Sequence, residues 1–278
     1  MKIGIIAAMA SEREQLTRLV AGMRTERHGL FEYTIGQLGR NILYIMECGI
    51  GKVNAAVGAS ELMARMQPDV VVSTGVAGGI DAKAGVMEVV AASEVVYHDV
   101  WCGMGNAYGQ IQGLPPRFTC DERLVRKAVS LPSSVPVHAG LICTGDKFIT
   151  ERGELDAIKA EFPEGLAVDM ESAAIAQVCH LYRVPFISFR IISDTPGADA
   201  HWQQYENFWE TMADRLFLLF LGCLLLCFKL LSLFYQLFLM LFTHIINLHL
   251  TERAVIAHHG IHIDVGSQCS LFSAIACH

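Results

Sequence analysis

The feature that most constrains this chain is an alternation. Strand-length apolar runs trade places with stretches whose apolar residues recur at helical spacing, from the first residue to about residue 215. Residues 2–9 read as a buried strand, 11–23 as a helix, 41–48 as a strand, and 53–66 as a helix with Ala, Leu and Met at helical spacing. Residues 69–73 and 88–96 are strand-like, 121–130 helical, 139–144 strand-like and 154–161 helical. Residues 167–169, 172–182 and 185–193 then form a strand–helix–strand unit. Such repetition predicts an α/β layer fold, because each helix carries the chain back so that the next strand can lie parallel. The strands are apolar on both faces, as expected of a largely parallel central sheet covered on both sides. No internal repeat and no Gly/Ser or Pro-rich linker breaks the pattern.

In sheets of this kind ligands bind beyond the carboxyl ends of the strands. The residues that follow each run therefore matter most. After the first run, Ser11 and Glu14 have capping-box spacing, which makes Ser11 the expected N-cap and puts Glu12 in the first turn at the ligand edge. There the helix dipole favours an ionised carboxylate. Glu12 either takes a proton from water or merely complements that dipole. Gly49-Ile50-Gly51-Lys52 and Thr74-Gly75-Val76-Ala77-Gly78-Gly79 read as turns that let backbone N–H groups approach a ligand, or as ordinary tight turns. Neither is a Walker A loop, and the first strand carries no G-x-G-x-x-G. The segment 168–172 ends one strand and 190–194 the next, so Glu171 and Asp194 are expected at the same edge as Glu12. Three converging carboxylates would raise one another's proton affinity, leaving one protonated to act as an acid near neutral pH. Three solvated loop acids are the other reading.

Composition narrows the partners. The net charge of −7 belongs to residues 1–215, since Lys229, Glu252, Arg253 and Asp264 cancel in the remainder. A mildly acidic body does not suggest nucleic-acid binding. Cys48, Cys102, Cys120, Cys143 and Cys179 form no C-x-x-C pair and have no His at ligand spacing, so they read as reduced thiols of a cytoplasmic protein, with no metal. Residues 1–9 form a strand rather than a signal peptide. His180 reads as a packing histidine at a helix end, His98 as a loop residue at the pocket rim or beside it, and Lys52 as a helix-start residue. Arg190, on a buried strand, needs partners and is expected to find them among the carboxylates.

Taken together, K-I-G-I-I-A-A-M at 2–9 with Glu12, G-I-G-K-V at 49–53, T-G-V-A-G-G at 74–79, T-G-D-K-F-I at 144–149, V-D-M-E-S at 168–172 and I-S-D at 192–194 resemble one family in order and spacing. That family is the 5′-methylthioadenosine/S-adenosylhomocysteine nucleosidases of the nucleoside phosphorylase-like superfamily, and the resemblance covers residues 1–215. It implies a three-layer α/β/α fold with a mixed sheet, a homodimer, no cofactor, and hydrolytic release of adenine from a 5′-thio-substituted ribose. It further implies that Glu12 activates water and Asp194 protonates the base towards N7. Glu171, with Met170, would hold the ribose hydroxyls. Phe148 would stack near the base, the Ile149 backbone would bond its edge, and Ile50 would line the 5′ pocket. Val76, Ala77, Gly78 and Ser193 complete the implied substrate-binding set. Tyr108 and Pro116, in the loop 98–118, would help close the partner subunit's site. The chain departs from the pattern at Val76, where many members carry a small hydroxyl residue, and between Tyr97 and Phe118.

The chemistry suits those roles. Breaking an N-ribosidic bond builds positive charge on the sugar and negative charge on the base, so an acid at the base and a carboxylate at the opposite face both help. A purine nucleoside phosphorylase using phosphate is one alternative, and a catalytically idle nucleoside-binding or membrane-associated module another. The tail stands apart: residues 216–250 carry one formal charge, Lys229, and residues 230–250 are long enough to span a bilayer. A membrane anchor, a sequence read out of frame after Arg215, and apolar helices packed on the body all remain open for residues 216–278. His258, His259 and His262 lack acidic or Cys partners at ligand spacing and read as a chance cluster.

Overall fold

A computed structural model of the chain describes residues 1–17, 20–130, 135–196, 198, 203–206 and 208. The tail 216–278, including the apolar stretch 230–250, lies outside the described residues. Among the described residues no helix is long and apolar enough to cross a membrane.

The elements run β1 (Lys2–Ala7), α1 (Ala10–Thr17), β2 (Ala21–His28), β3 (Phe31–Leu38), β4 (Asn41–Glu47), α2 (Lys52–Met66), β5 (Val70–Gly79), β6 (Val89–Tyr97), β7 (Phe118–Thr119), α3 (Glu122–Val129), β8 (Val137–Thr144), α4 (Arg152–Glu161), β9 (Gly165–Asp169), α5 (Ser172–Tyr182) and β10 (Phe186–Asp194). The expected α/β alternation is present. Helix α2 forms because Ala55, Ala59, Leu62, Met63 and Met66 recur on one buried face. It ends where Gln67 turns left-handed and returns its N–H to the Met63 carbonyl. Helix α3 is capped by the Asp121 side chain, which accepts from the Arg123 and Leu124 amides.

The sheet runs β10-β6-β8-β9-β5-β1-β4-β3-β2, and β10 also pairs with β5. Strands β5, β10, β6, β8 and β9 therefore close into a ring from which β1, β4, β3 and β2 extend as an open wing. The expected mixed sheet with long parallel ladders is present. The ladders β1–β4, β1–β5, β5–β10, β6–β8 and β8–β9 are parallel, and β2–β3, β3–β4, β5–β9, β6–β7 and β6–β10 are antiparallel. Alternate residues of the ring strands feed two apolar clusters. Val95 and Ile142 join the main core with α1, α2, α3 and α5, whereas Val96, Leu141 and Cys143 pack with Leu155 and Ile158 of α4. Both faces of these strands are thus covered, which is why their sequences are apolar throughout.

Three local expectations fail. The helix expected over 11–23 stops at Thr17, and Ala21–Met23 belongs to β2. Ser11 is not its N-cap: the helix begins at Ala10, and the Glu12 carboxylate itself reaches back to the Ala8 and Met9 amides. The segment Thr74–Gly79 is not a turn but the second half of β5. It stays extended because it leaves β1 after Ser73 and continues along β10 as far as Gly78.

Candidate active site

Glu12 sits in the first turn of α1, 7% exposed. Its Oε2 accepts from Ala8 N at 3.0 Å and Met9 N at 3.1 Å, and its Oε1 accepts from Val76 N at 3.0 Å. Strand β5 can come this close because residue 75 is glycine; a Cβ there would run into the Glu12 carboxylate. Burial raises the Glu12 pKa, opposed by the Arg190 charge and the three amides. Among the described residues Oε1 has one donor, so a lone pair remains for water.

Glu171 follows β9 and stands at the N-cap position of α5. Its Oε1 accepts from Gly51 N at 2.9 Å, across the start of α2, where Gly51 takes φ 95°. Burial pushes its pKa up to about 7; the Asp169 charge adds to this, and Arg190 and the Gly51 amide oppose it. Asp194 ends β10 and is buried. A register shift in β10 between Ile192 and Asp194 lets consecutive residues, Ser193 and Asp194, both line the cavity. The Ser193 hydroxyl lies within reach of the Asp194 carboxylate and of the Ala77 carbonyl, at 3.2 Å.

Beneath these acids lies a buried cation. Arg190, 2% exposed, donates Nε to Asp169 Oδ2 at 2.7 Å and a terminal nitrogen to Ser73 Oγ at 3.1 Å; the same terminal nitrogen lies 3.7 Å from Glu171 Oε2. The expectation that Arg190 pairs with a site carboxylate holds.

One cavity, of about 640 Å³ counted to its open mouth, joins these parts. Of the residues singled out from the sequence, Glu12, Ile50, Val76, Ala77, Gly78, Phe148, Ile149, Met170, Glu171, Ser193 and Asp194 all line it. Tyr108 and Pro116 do not line this chain's cavity; both are exposed, and Tyr108 packs beside Phe162. Val76 contributes its backbone to Glu12, so its departure from a small hydroxyl residue leaves that bond intact.

The acids converge differently from what the sequence suggests. Strand β9 is antiparallel to β5, meeting it only at Gly78 and Gly79, while β10 is parallel to β5. Glu171 and Asp194 come together because the sheet closes on itself, not because their strands run side by side. Lys147, Asp169, Pro196 and Tyr205 line the cavity too and were not singled out. Tyr205 presents its ring to Phe148 at 5.7 Å between centroids. Its helical spacing with Trp202, Phe208 and Trp209 is the sequence signal that could have found it, whereas Asp169 was visible inside V-D-M-E-S as a residue but not as a partner of Arg190.

The residues set aside stay outside the cavity. His98 is buried with its ring against Gly145, and among the described residues its Nε2 has no hydrogen-bond partner. His180 packs beside Phe118 at the end of α5. Lys52 opens α2 and binds Asp99 at 2.8 Å. Cys48, Cys120, Cys143 and Cys179 are buried free thiols whose pKa burial pushes up, and Cys102 is exposed and free.

Residues 2–224 of the chain match the model of the phosphorylase superfamily, which sets the class. The chain is 39% identical to a 5′-methylthioadenosine/S-adenosylhomocysteine nucleosidase from Anoxybacillus flavithermus, over 77% of this chain and 93% of the relative. It is 41% identical to one from Chromohalobacter salexigens, over 72% and 86%. Among solved structures, the nucleosidase of Colwellia psychrerythraea in complex with adenine superposes with a TM-score of 0.75 at 37% identity, covering 81% of this chain and 94% of that one. The Neisseria meningitidis nucleosidase with methylthio-immucillin-A also gives 0.75, at 32% identity over 80% and 98%. This chain belongs to the 5′-methylthioadenosine/S-adenosylhomocysteine nucleosidase family.

Proposed function

We propose that the chain hydrolyses the N-ribosidic bond of 5′-methylthioadenosine, S-adenosylhomocysteine and related adenine nucleosides, releasing adenine and a 5′-thio-substituted ribose. The observation that carries this is the convergence of Glu12, Glu171 and Asp194 on one cavity otherwise lined largely by apolar side chains and backbone. Asp194 donates a proton towards N7, so the base leaves neutral. Glu12, held by three amides, orients and deprotonates a water at the sugar's other face and stabilises the cationic ring. Glu171 accepts from the ribose hydroxyls and fixes the ring for attack. Phe148 and the Ile149 backbone hold the base, and Ile50 lines the 5′ side.

Phosphorolysis fits the cavity less well. Four carboxylates line it, those of Glu12, Asp169, Glu171 and Asp194, and among the described residues the one cation lining it is Lys147, which is paired with Glu154. A phosphate dianion would enter against that charge. An idle binding module would not need a buried carboxylate at each end of the substrate.

The active unit is a homodimer in this reading, with Tyr108 and Pro116 of each loop 98–118 closing the partner's cavity. Trp101 and Met104 of that loop, 63% and 96% exposed, are large apolar side chains left uncovered in the single chain. Turnover belongs to residues 1–215, so a chain ending at Arg215 is expected to keep it. The test is adenine release from 5′-methylthioadenosine with and without phosphate. Phosphate-independent release that collapses in Asp194→Asn supports the reading; strict phosphate dependence replaces it with the phosphorylase, and binding without release replaces it with the idle module.

A further inference from the structure

The Arg190 guanidinium stands between two claims on its charge. Its Nε edge meets Asp169 at 2.7 Å and its terminal nitrogen meets Ser73 at 3.1 Å, while Glu171 is left at 3.7 Å. Asp169 is itself clamped. Its Oδ1 accepts from Thr144 Oγ1 at 2.5 Å, and its Oδ2 accepts from Ser172 N at 3.1 Å and from the Ser172 hydroxyl, in addition to Arg190. Ser172 is braced in turn by Ser188 at 2.7 Å, and Thr144 accepts from Ala173 N at 3.0 Å. Every member of this network is buried. A guanidinium prefers a carboxylate approached by two parallel N–H bonds; here Asp169 accepts one, from Nε, the terminal nitrogen is taken by Ser73, and Glu171 is left at ion-pair distance only.

We propose that Asp169 is a positioning residue for the reaction: by holding Arg190 at its Nε edge, with Ser73 as the second anchor, it keeps the cation from closing on Glu171 and leaves that carboxylate free for the sugar hydroxyls. The charged and titratable groups facing Glu171 are Asp169 on β9, Arg190 on β10, Glu12 on α1 and Cys48 after β4. Of these, Asp169 and Glu12 favour the protonated form of Glu171 and Arg190 favours the ionised form. Removing the Asp169 charge withdraws one and releases the other, so both changes act in the same direction.

This rests on the assignment of Glu171 to the ribose, and the test separates the two. Glu171 is titrated by carbon-detected NMR of its side-chain carboxyl in the ligand-free full chain, assigned by its loss in Glu171→Gln. In parallel, the acidic limb of kcat/KM for adenine release is recorded. Asp169→Asn is expected to move both downward by roughly 1 pH unit or more, with KM raised about tenfold as Arg190 engages Glu171 and kcat changed far less. Ser73→Ala, which leaves Asp169 in place, is expected to shift them the same way by less. Asp169→Glu, which keeps the charge, is expected to stay nearer the wild type than Asp169→Asn. A purely structural role for Asp169 lowers thermal stability and leaves the Glu171 titration where it was; that result, or an upward shift, overturns the proposal. Should Asp169→Asn fail to fold, an unmoved titration in Ser73→Ala overturns it alone. If the titration shifts as expected while the wild type releases no adenine, the functional reading falls and the positioning stands.

Discussion

The two walls that carry Glu12 and Glu171 solve the same problem by different means. Each holds a carboxylate at 7% exposure, and each raises its proton affinity chiefly by burial. Around Glu12 the donors are three backbone amides, supplied by the β1–α1 junction and by β5. Around Glu171 there is one amide, from Gly51, and behind it a set of exchangeable side chains: Asp169, Arg190, Ser73, Ser172 and Thr144. Backbone donors survive most substitutions, whereas a side-chain network can be retuned one residue at a time. In the proposed mechanism, the wall assigned to water activation is therefore built for permanence, and the wall assigned to the sugar is adjustable.

The comparison breaks most visibly if the two acids give the same kinetic signature. Glu12→Gln is expected to lower kcat about 10²–10⁴-fold with little change in KM, because it removes a group acting on the reacting water. Steady-state adenine release measures this, and a loss confined to KM contradicts it. Gly75→Ala comes next. Its Cβ would meet the Glu12 carboxylate, and displacing that group costs on the order of 10²-fold in turnover along with about 1–3 kcal/mol of stability from overpacking. Turnover and thermal unfolding of the same sample check it; an unimpaired variant means β5 does not set the position of Glu12.

Glu171→Gln is expected to act mainly on KM, raising it about tenfold or more as a charged acceptor becomes neutral. Stability moves the other way. A carboxyl whose pKa is raised from 4.5 to about 7 on folding contributes stability that is full below 4.5 and lost as pH rises through about 7. The Gln variant escapes that loss, so its Tm is expected to exceed the wild type's above neutrality and to converge with it in acid. Melting curves across that window decide; a Tm gap that does not depend on pH rejects the assignment. Val76→Ser is the smallest change. The bond to Glu12 comes from the backbone N–H, so kcat is expected to stay within a few-fold of the wild type.

What could be read before folding follows the same division. Helix α5 was legible to the residue, and β1, β4, α2 and β6 nearly so, because their apolar periodicity is strong. The hairpin β2–β3 was not. Arg24, Glu26 and Arg27 of β2 lie on an edge strand exposed on both faces, where no alternation is required. Thr74–Gly79 passed for a turn because its glycines serve close approach within a strand, a need set by Glu12 sixty-odd residues away in sequence. Eleven cavity residues were legible as motifs. The partnership of Asp169 with Arg190 was only half visible, since it depends on the ring closure that brings β9 and β10 to opposite sides of β5.

The central claim is that water, activated at the Glu12 wall, takes the place of the base. The most direct measurement is to run the wild-type reaction on 5′-methylthioadenosine in oxygen-labelled water with unlabelled phosphate present, and to weigh the sugar at the earliest turnover, before exchange at the anomeric carbon. One labelled oxygen in free methylthioribose, formed at the rate of adenine release and lost in Glu12→Gln, is the predicted result. Unlabelled ribose 1-phosphate as the first sugar product would contradict it.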